Sequence, residues 1–200
     1  MRAIKAPLVS GGTELFNCSI ASEACRLIVD VGYSAMSMRC LAKKVGMQPG
    51  SLYHHYASKV DVLETVLDCS LSCRLSSWLK IKSTVGSLRS KVKALVDFHL
   101  AYHRAKGREL AVLLTEIRYL DDERRDEILK INSAYQNEFV HLVEEAIHLR
   151  MITSVHPMMV ASGILGYLNA VLEKGEAEQG KGEGHAWISQ SIWRLMGGTD

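Results

Sequence analysis

Three observations predict an all-helical protein. Extended alternating runs rich in Val, Ile and Thr are missing. Glycine is sparse through the first two thirds of the chain, and only three prolines occur in 200 residues. Apolar residues recur instead at helical spacing along most of the length. The composition, 48% hydrophobic and 23% charged, supports one good core or two small ones. No run approaches the ~18 uninterrupted apolar residues of a membrane span. The segment MRAIKAPLVSGGTE lacks the apolar core of a signal peptide, so the expected location is the cytoplasm.

The elements follow in order. Residues 1–12 read as a loose arm. A first helix is expected from Thr13 to Val31, with Ile20, Ala24, Leu27, Ile28 and Val31 on one face and Gly32 just past its end. Ser37 is the N-cap of a short second helix that turns Leu41, Ala42 and Val45 inward and stops at Gly46. Pro49 and Gly50 start a third helix ending near Tyr56. Ser58, with Asp61 three residues on, approximates a capping box for a fourth that runs to Lys82. Leu88 to Lys106 is a fifth, striped by Val92, Leu95, Val96 and His99, and Gly107 is expected to break it. Glu109 to Tyr119 is short and apolar. A long helix runs from Asp122 to Met151, its early acids placed at the positive end of the dipole. Pro157 opens another, to Lys174. A Gly- and charge-rich loop, KGEAEQGKGEG at 174–184, separates it from a last helix over 185–196. Nine helices are expected in all.

The stretch GMQPGSLYHHYASK (46–59) carries the chemistry. Two short helices joined by a tight glycine turn make a helix-turn-helix. At ~100° per residue, Leu52 and Tyr56 share the inward side of the second helix. Gly50 and His54 then lie opposite, with Tyr53 and His55 on the flanks. Gln48 opens the helix. Gly50 and Ser51 let a backbone approach closely. His54 is placed to read a base edge, and Tyr53, His55 and Lys59 to meet phosphates. Ser37 offers a hydroxyl and a helix N-terminus to a phosphate, with Arg39 beside it. So many hydrogen-bonding groups on so short a segment fit a face that meets nucleic acid.

GYSAMSMRCLAKKVGMQPGSLYHHYASKVDVLETVL (32–67) resembles the DNA-binding segment of the tetracycline-repressor (TetR) family of bacterial transcription regulators. The likeness rests on Gly32-Tyr33, Ser37, Leu41-Ala42, Val45-Gly46, Gly50-Ser51-Leu52-Tyr53, His55-Tyr56 and Ser58-Lys59, all at the family's spacing. Pro49 departs from it, standing where many members carry lysine. The resemblance implies a DNA-binding domain over 1–58 and an effector-binding and dimerisation domain over 59–200. It implies a homodimeric repressor that reads a palindromic double-stranded operator and is released by a small molecule.

The resemblance further implies a dimer built on the last two long helices. Met159, Gly163, Leu168, Leu172, Ile188, Ile192 and Trp193 are the expected interface residues. The same helices supply more apolar surface than a lone peripheral pair needs. A pocket inside the middle helices is implied as well. Polar residues on otherwise apolar faces are its candidates: His99, Tyr102, His103, Glu116, Arg118, Tyr135 and Asn169. DFHLAYH (97–103) and LLTEIRYL (113–120) resemble a branch responding to acyl-CoA or other lipid-derived thioesters. Such an acyl-CoA-like molecule is the expected effector.

Charge and cysteine usage agree with a regulator. The net charge is +2, but residues 1–60 carry seven Lys or Arg against three Asp or Glu. A basic first third suits nucleic acid. Five cysteines without a C-x-x-C pair read as small buried hydrophobes. His99 and His103 stand at i, i+4, a zinc-compatible spacing, but no H-E-x-x-H surrounds them. No nucleophile motif or phosphate-cradling loop occurs. The expectation is therefore no enzyme, no cofactor and no metal. The alternatives are an all-helical metal enzyme using those histidines, or a helical interaction protein with a vestigial head.

Overall fold

The computed structural model describes residues 12–153, 156–173 and 186–199, with side chains from Ser19 onward. The expected arm at 1–12 and the loop at 174–184 fall almost wholly outside the described residues. Eight α-helices and one 3-10 turn make up the described residues, with no strand among them. They are α1 (Gly12–Val31), α2 (Met38–Lys44), α3 (Pro49–His55), α4 (Lys59–Lys82), α5 (Leu88–Glu116), α6 (Asp122–His148), α7 (Pro157–Glu173) and α8 (Ala186–Leu195). The turn spans Ile117–Tyr119.

Among the described residues the count is eight rather than nine because Gly107 does not break its helix. α5 runs through it without interruption to Glu116. A mid-helix glycine costs only about 1 kcal/mol relative to alanine. Leu100 on one side of it and Leu110 and Leu113 on the other are buried, and their burial outweighs that cost. A Cβ at Gly107 would meet the His103 side chain at 3.6 Å, an ordinary contact.

Three helix C-termini share one geometry. At the end of α2, Met47 N–H donates to the Ala42 carbonyl and Gly46 N–H to that of Lys43. Gly46 holds φ +70° to permit it. This is a Schellman cap, which satisfies carbonyls that the helix leaves orphaned. The same pair of bonds closes α8, with Gly197 at φ +76°. It also closes α6, where Met151 N–H reaches the Ala146 carbonyl. There the left-handed position is held by Arg150, at φ 58°. That cap ends α6 at His148, three residues before the expected Met151.

The chain divides into two compact units. The first holds residues 1–70 and 109–125, the second 71–108 and 126–200. The first unit thus extends past the expected boundary at 58 and recruits the end of α5 and the start of α6. Its buried residues include Ile20, Ala24, Ile28, Leu41, Ala42, Leu52, Tyr56, Leu63 and Leu67. Val31, expected on the inward face of the first helix, is 55% exposed.

The second unit has one apolar core. Trp78, Val92, Leu95, Leu100, Tyr135, Phe139, Val143, Ile164, Leu168, Ile188 and Ile192 belong to it. Three expected interface residues, Leu168, Ile188 and Ile192, are therefore interior to a single chain. They cannot touch a second copy directly. Apolar periodicity marks a residue as buried, but it does not say against what.

The cysteines also depart from expectation. Of the four whose side chains are described, only Cys25 is buried; Cys40 and Cys73 are exposed and Cys69 lies between.

Candidate nucleic-acid interface and effector site

The first candidate site is the α2–α3 pair. Ser37 caps α2, its hydroxyl accepting the Cys40 N–H at 3.1 Å. The caps of α2 set where α3 begins, and Leu52 and Tyr56 anchor α3 by their burial. Every other side of that helix faces outward. Gln48, Gly50, Ser51, Tyr53, His54 and His55 are all exposed, as are Ser37 and Arg39 on α2. Nothing lies within 4 Å of where a Gly50 Cβ would stand, so its surface is open to a close partner. The arrangement is a polar ridge fixed from behind by two buried side chains.

Lys59 has a different first task. Its amine donates to the Ser34 carbonyl at 3.1 Å and stands 4.3 Å from the centre of the Tyr33 ring. Burial lowers its pKa, and neighbouring Tyr119 and Glu116 partly offset that. The side chain ties the start of α4 to the corner between α1 and α2. Two cations that sequence reasoning passed over stand freer. Lys43 and Lys44, in the last turn of α2, are exposed. The AKK run announced them, but read as sequence it only complements the negative end of the helix dipole.

The same unit holds the end of α5 and the start of α6. Glu116 Oε1 accepts the Tyr33 N–H at 3.3 Å. The Ser34 and Tyr119 hydroxyls share a hydrogen bond of 2.6 Å, and the Tyr33 and Tyr119 rings pack 4.8 Å apart. Arg124 donates to Asp61 Oδ1 at 2.7 Å and lies 3.3 Å from Glu64 Oε2. Asp61 also accepts the Ser58 N–H at 2.8 Å while Ser58 Oγ accepts the Asp61 N–H at 3.2 Å, the expected capping box. Burial would raise the Asp61 pKa, but the bonds from Arg124 and Ser58 outweigh it and hold the carboxyl low. Glu116 and Arg118, expected in the effector pocket, sit here instead. Arg118 Nη2 reaches Glu116 Oε2 at 3.4 Å.

The other five effector candidates do gather, in the second unit. His99 Nδ1 is 3.2 Å from the Tyr135 hydroxyl. The His99 and His103 rings stack at 4.3 Å, and Tyr102 sits edge-on to His103 at 6.3 Å. Asn169 lies close enough to favour the charged form of His99, yet no hydrogen bond of normal geometry reaches His99 Nε2. Burial pushes the His99 pKa down to about 3, with His103 and Arg74 adding to the fall. Burial and Arg74 push His103 to about 4. Both rings are therefore neutral at physiological pH. Burial also raises the Tyr135 hydroxyl, against the pull of Arg74.

Arg74 is the residue sequence reasoning missed. It is 4% exposed, donates from Nη2 to Asn132 Oδ1 at 2.7 Å and lies 4.3 Å over the Tyr135 ring. It stands on α4 between apolar neighbours, and an arginine within CRLSSW gave no sign that it turns inward. Among the described residues no group of three His, Cys, Asp or Glu side chains converges as a metal site would require.

Comparison with known proteins joins both sites to one type of molecule. Residues 20–66 match the family described as bacterial regulatory proteins, tetR family. Residues 85–173 match the tetracyclin repressor-like C-terminal domain. The chain is 24% identical over 125 residues to the HTH-type transcriptional repressor KstR2 of Rhodococcus jostii, covering 62% of this chain and 61% of that one. It is 29% identical over 102 residues to KstR2 of Mycolicibacterium smegmatis, covering 51% and 47%. The match thus spans only about half to three fifths of these repressors' length. Among solved structures, AibR in complex with isovaleryl coenzyme A and operator DNA superposes with a TM-score of 0.71 at 21% identity, over 92% of this chain and 99% of that one. FadR from Bacillus subtilis in complex with stearoyl-CoA gives 0.69 at 19% identity, over 90% and 96%.

Proposed function

Since the chain belongs to the tetracycline-repressor family of bacterial regulators, we propose that it is a transcriptional repressor, binding a palindromic operator as a homodimer and released by a small-molecule effector. The observation that carries this reading is the outward face of α3. Six polar or small residues stand exposed on a helix pinned from behind by Leu52 and Tyr56. His54 and Gln48 are assigned to base edges, and Tyr53, His55, Ser37 and Arg39 to phosphates. Lys43 and Lys44 add to the phosphate group. Lys59 acts first as a brace for the head.

The dimer reading shifts to the faces left open. Met159 is 72% exposed and Leu195 71%. Gly163 and Gly166 are exposed, with nothing within 4 Å of a Cβ at either. Met159, Gly163, Gly166 and Ala170 recur at helical spacing along α7, and Trp187 and Leu195 are open on α8. Leu172 and Trp193 are partly buried and complete the patch. Such an apolar strip with small residues suits close helix packing across a two-fold axis.

An acyl-CoA or other lipid-derived effector is supported by the ligands named for AibR and FadR. α5 carries His99 in one unit and Glu116 in the other; α6 carries Tyr135 and Arg124 in the same way. A ligand that favours one setting of these helices would thereby act on the residues bracing the head. It can do so only by its differential affinity for the two settings.

The test is a gel-shift titration on DNA flanking the protein's own gene, with scrambled competitor, at two salt concentrations. A specific shift that weakens steeply with salt is expected, because phosphate contacts release counterions. Absence of any specific shift, there and in a selection from random DNA, would overturn the reading.

A further inference from the structure

Among the described residues no carboxylate reaches Arg74. Its polar contact is one Asn132 amide oxygen, its flat face covers Tyr135, and Nε has no acceptor at all. A guanidinium cannot shed its proton to escape. Burial lowers its pKa from a very high ordinary value, with Tyr135 and Tyr102 opposing that. A buried charge without a counter-charge is strongly unfavourable, so proteins rarely keep one idle. Glu138 does not serve as the counter-ion. Its Oε2 accepts from Trp78 Nε1 at 2.6 Å and Lys82 Nζ at 2.8 Å.

A second orphan lies in the same cluster. His99 is 2% exposed and its Nε2 is buried without a partner. Either tautomer fits the Nδ1–Tyr135 bond; with the hydroxyl donating, Nε2 carries the ring proton and, since Asn169 falls short of a bond of normal geometry, is a donor without a bonded acceptor. Arg74 and His99 both address Tyr135, and the Arg74 charge is felt at both imidazoles. The cluster therefore has one positive charge, no carboxylate among the described residues, and two buried N–H groups, Arg74 Nε and His99 Nε2, with no bonded acceptor.

We infer that this cluster is the seat of a carboxylate carried by the effector, with Arg74 as its counter-ion and His99 Nε2 as a second donor. The proposal rests on the reading that this unit binds the effector, and it names the chemical class. A carboxylate is flat, singly charged and accepts from two donors at once. A phosphate brings up to two charges, against the single charge of Arg74. The part of the molecule next to the carboxylate is apolar, because the cluster is walled by Phe98, Tyr102 and Tyr135, with ring centres about 6 Å apart. Exposed Asn169 and the half-buried Tyr102 and His103 mark its outer edge.

The experiment is calorimetric titration of the full chain with matched pairs: decanoate against decanamide, and 2-naphthoate against 2-naphthamide, with decyl phosphate as a third arm. At least one acid should bind about tenfold or more tightly than its amide, as charge-assisted hydrogen bonds require. Arg74→Met, checked for folding by circular dichroism, should bring the two within about twofold. Arg74→Lys should fall between, since it keeps the charge and loses the fork. Should Arg74→Met fail to fold, the acid-to-amide ratio of the wild type decides alone. Equal binding of acid and amide, binding of neither, a preference that survives Arg74→Met, or tighter binding of decyl phosphate than of decanoate would each overturn the inference. The operator gel shift on the same preparation reads separately whether the regulator assignment stands.

Discussion

His99 is an imidazole that folding keeps from its proton. In the unfolded chain it titrates near 6.5, and in the folded protein near 3. The unfolded state therefore binds more protons as pH falls below 6.5, and stability falls with it. The contribution is complete above about pH 6.5 and is lost progressively toward pH 3 to 4. Between pH 7 and 5, His99 alone should cost about 2 kcal/mol, and His103 acts in the same direction. Chemical denaturation at the two pH values reads this. His99→Gln should flatten the profile, and an unchanged profile would mean that the ring titrates alike in the folded and unfolded chains. On the proposed DNA face the residues divide by the contact assigned to them. Tyr53→Ala should weaken cognate and scrambled DNA alike. His54→Ala should cost about 1–3 kcal/mol on the cognate operator only. Equal losses on both would remove its base-reading role.

Among the elements, the caps separate what sequence discloses from what it withholds. Gly46 is legible as the end of α2 because only glycine takes φ +70° freely, and it stands where apolar periodicity stops. The same cap at Arg150 was invisible, since nothing in an arginine announces a left-handed backbone. Arg150→Gly should therefore stabilise the protein by about 1 kcal/mol, the cost of that conformation for a residue with a Cβ. Thermal unfolding would show it, and a loss of stability would mean that the side chain earns its place otherwise. Gly107 misleads in the opposite sense, as a breaker that long-range packing overrides. The exposed polar ridge of α3 was legible because a short helix with two inward residues leaves no other place for the rest. The Arg74 cluster was half legible. Polar residues at i, i+4 on α5 mark it, but its charge comes from α4, and no spacing rule links residues on different helices.

For the whole molecule, a palindromic operator requires two heads about one helical turn of DNA, ~34 Å, apart. A single chain has one. Gly166→Glu tests the proposed face with little risk to the fold, because a Cβ there meets nothing within 4 Å. It sets like charges against each other across a two-fold axis. Sedimentation velocity should find the variant monomeric, with operator affinity reduced at least a hundredfold. A dimer that persists would move the interface elsewhere on the chain.

Trp78 gives the molecule an optical voice. Its indole is wholly buried, with Nε1 held by Glu138, and it stands one turn along α4 from Arg74. Trp187 is 45% exposed, and Trp193 is only partly covered. Acrylamide should quench these two readily and leave a blue-shifted emission from the first. Whatever settles beside Arg74 changes the field around that indole, so the protein's own fluorescence can follow occupancy without a label.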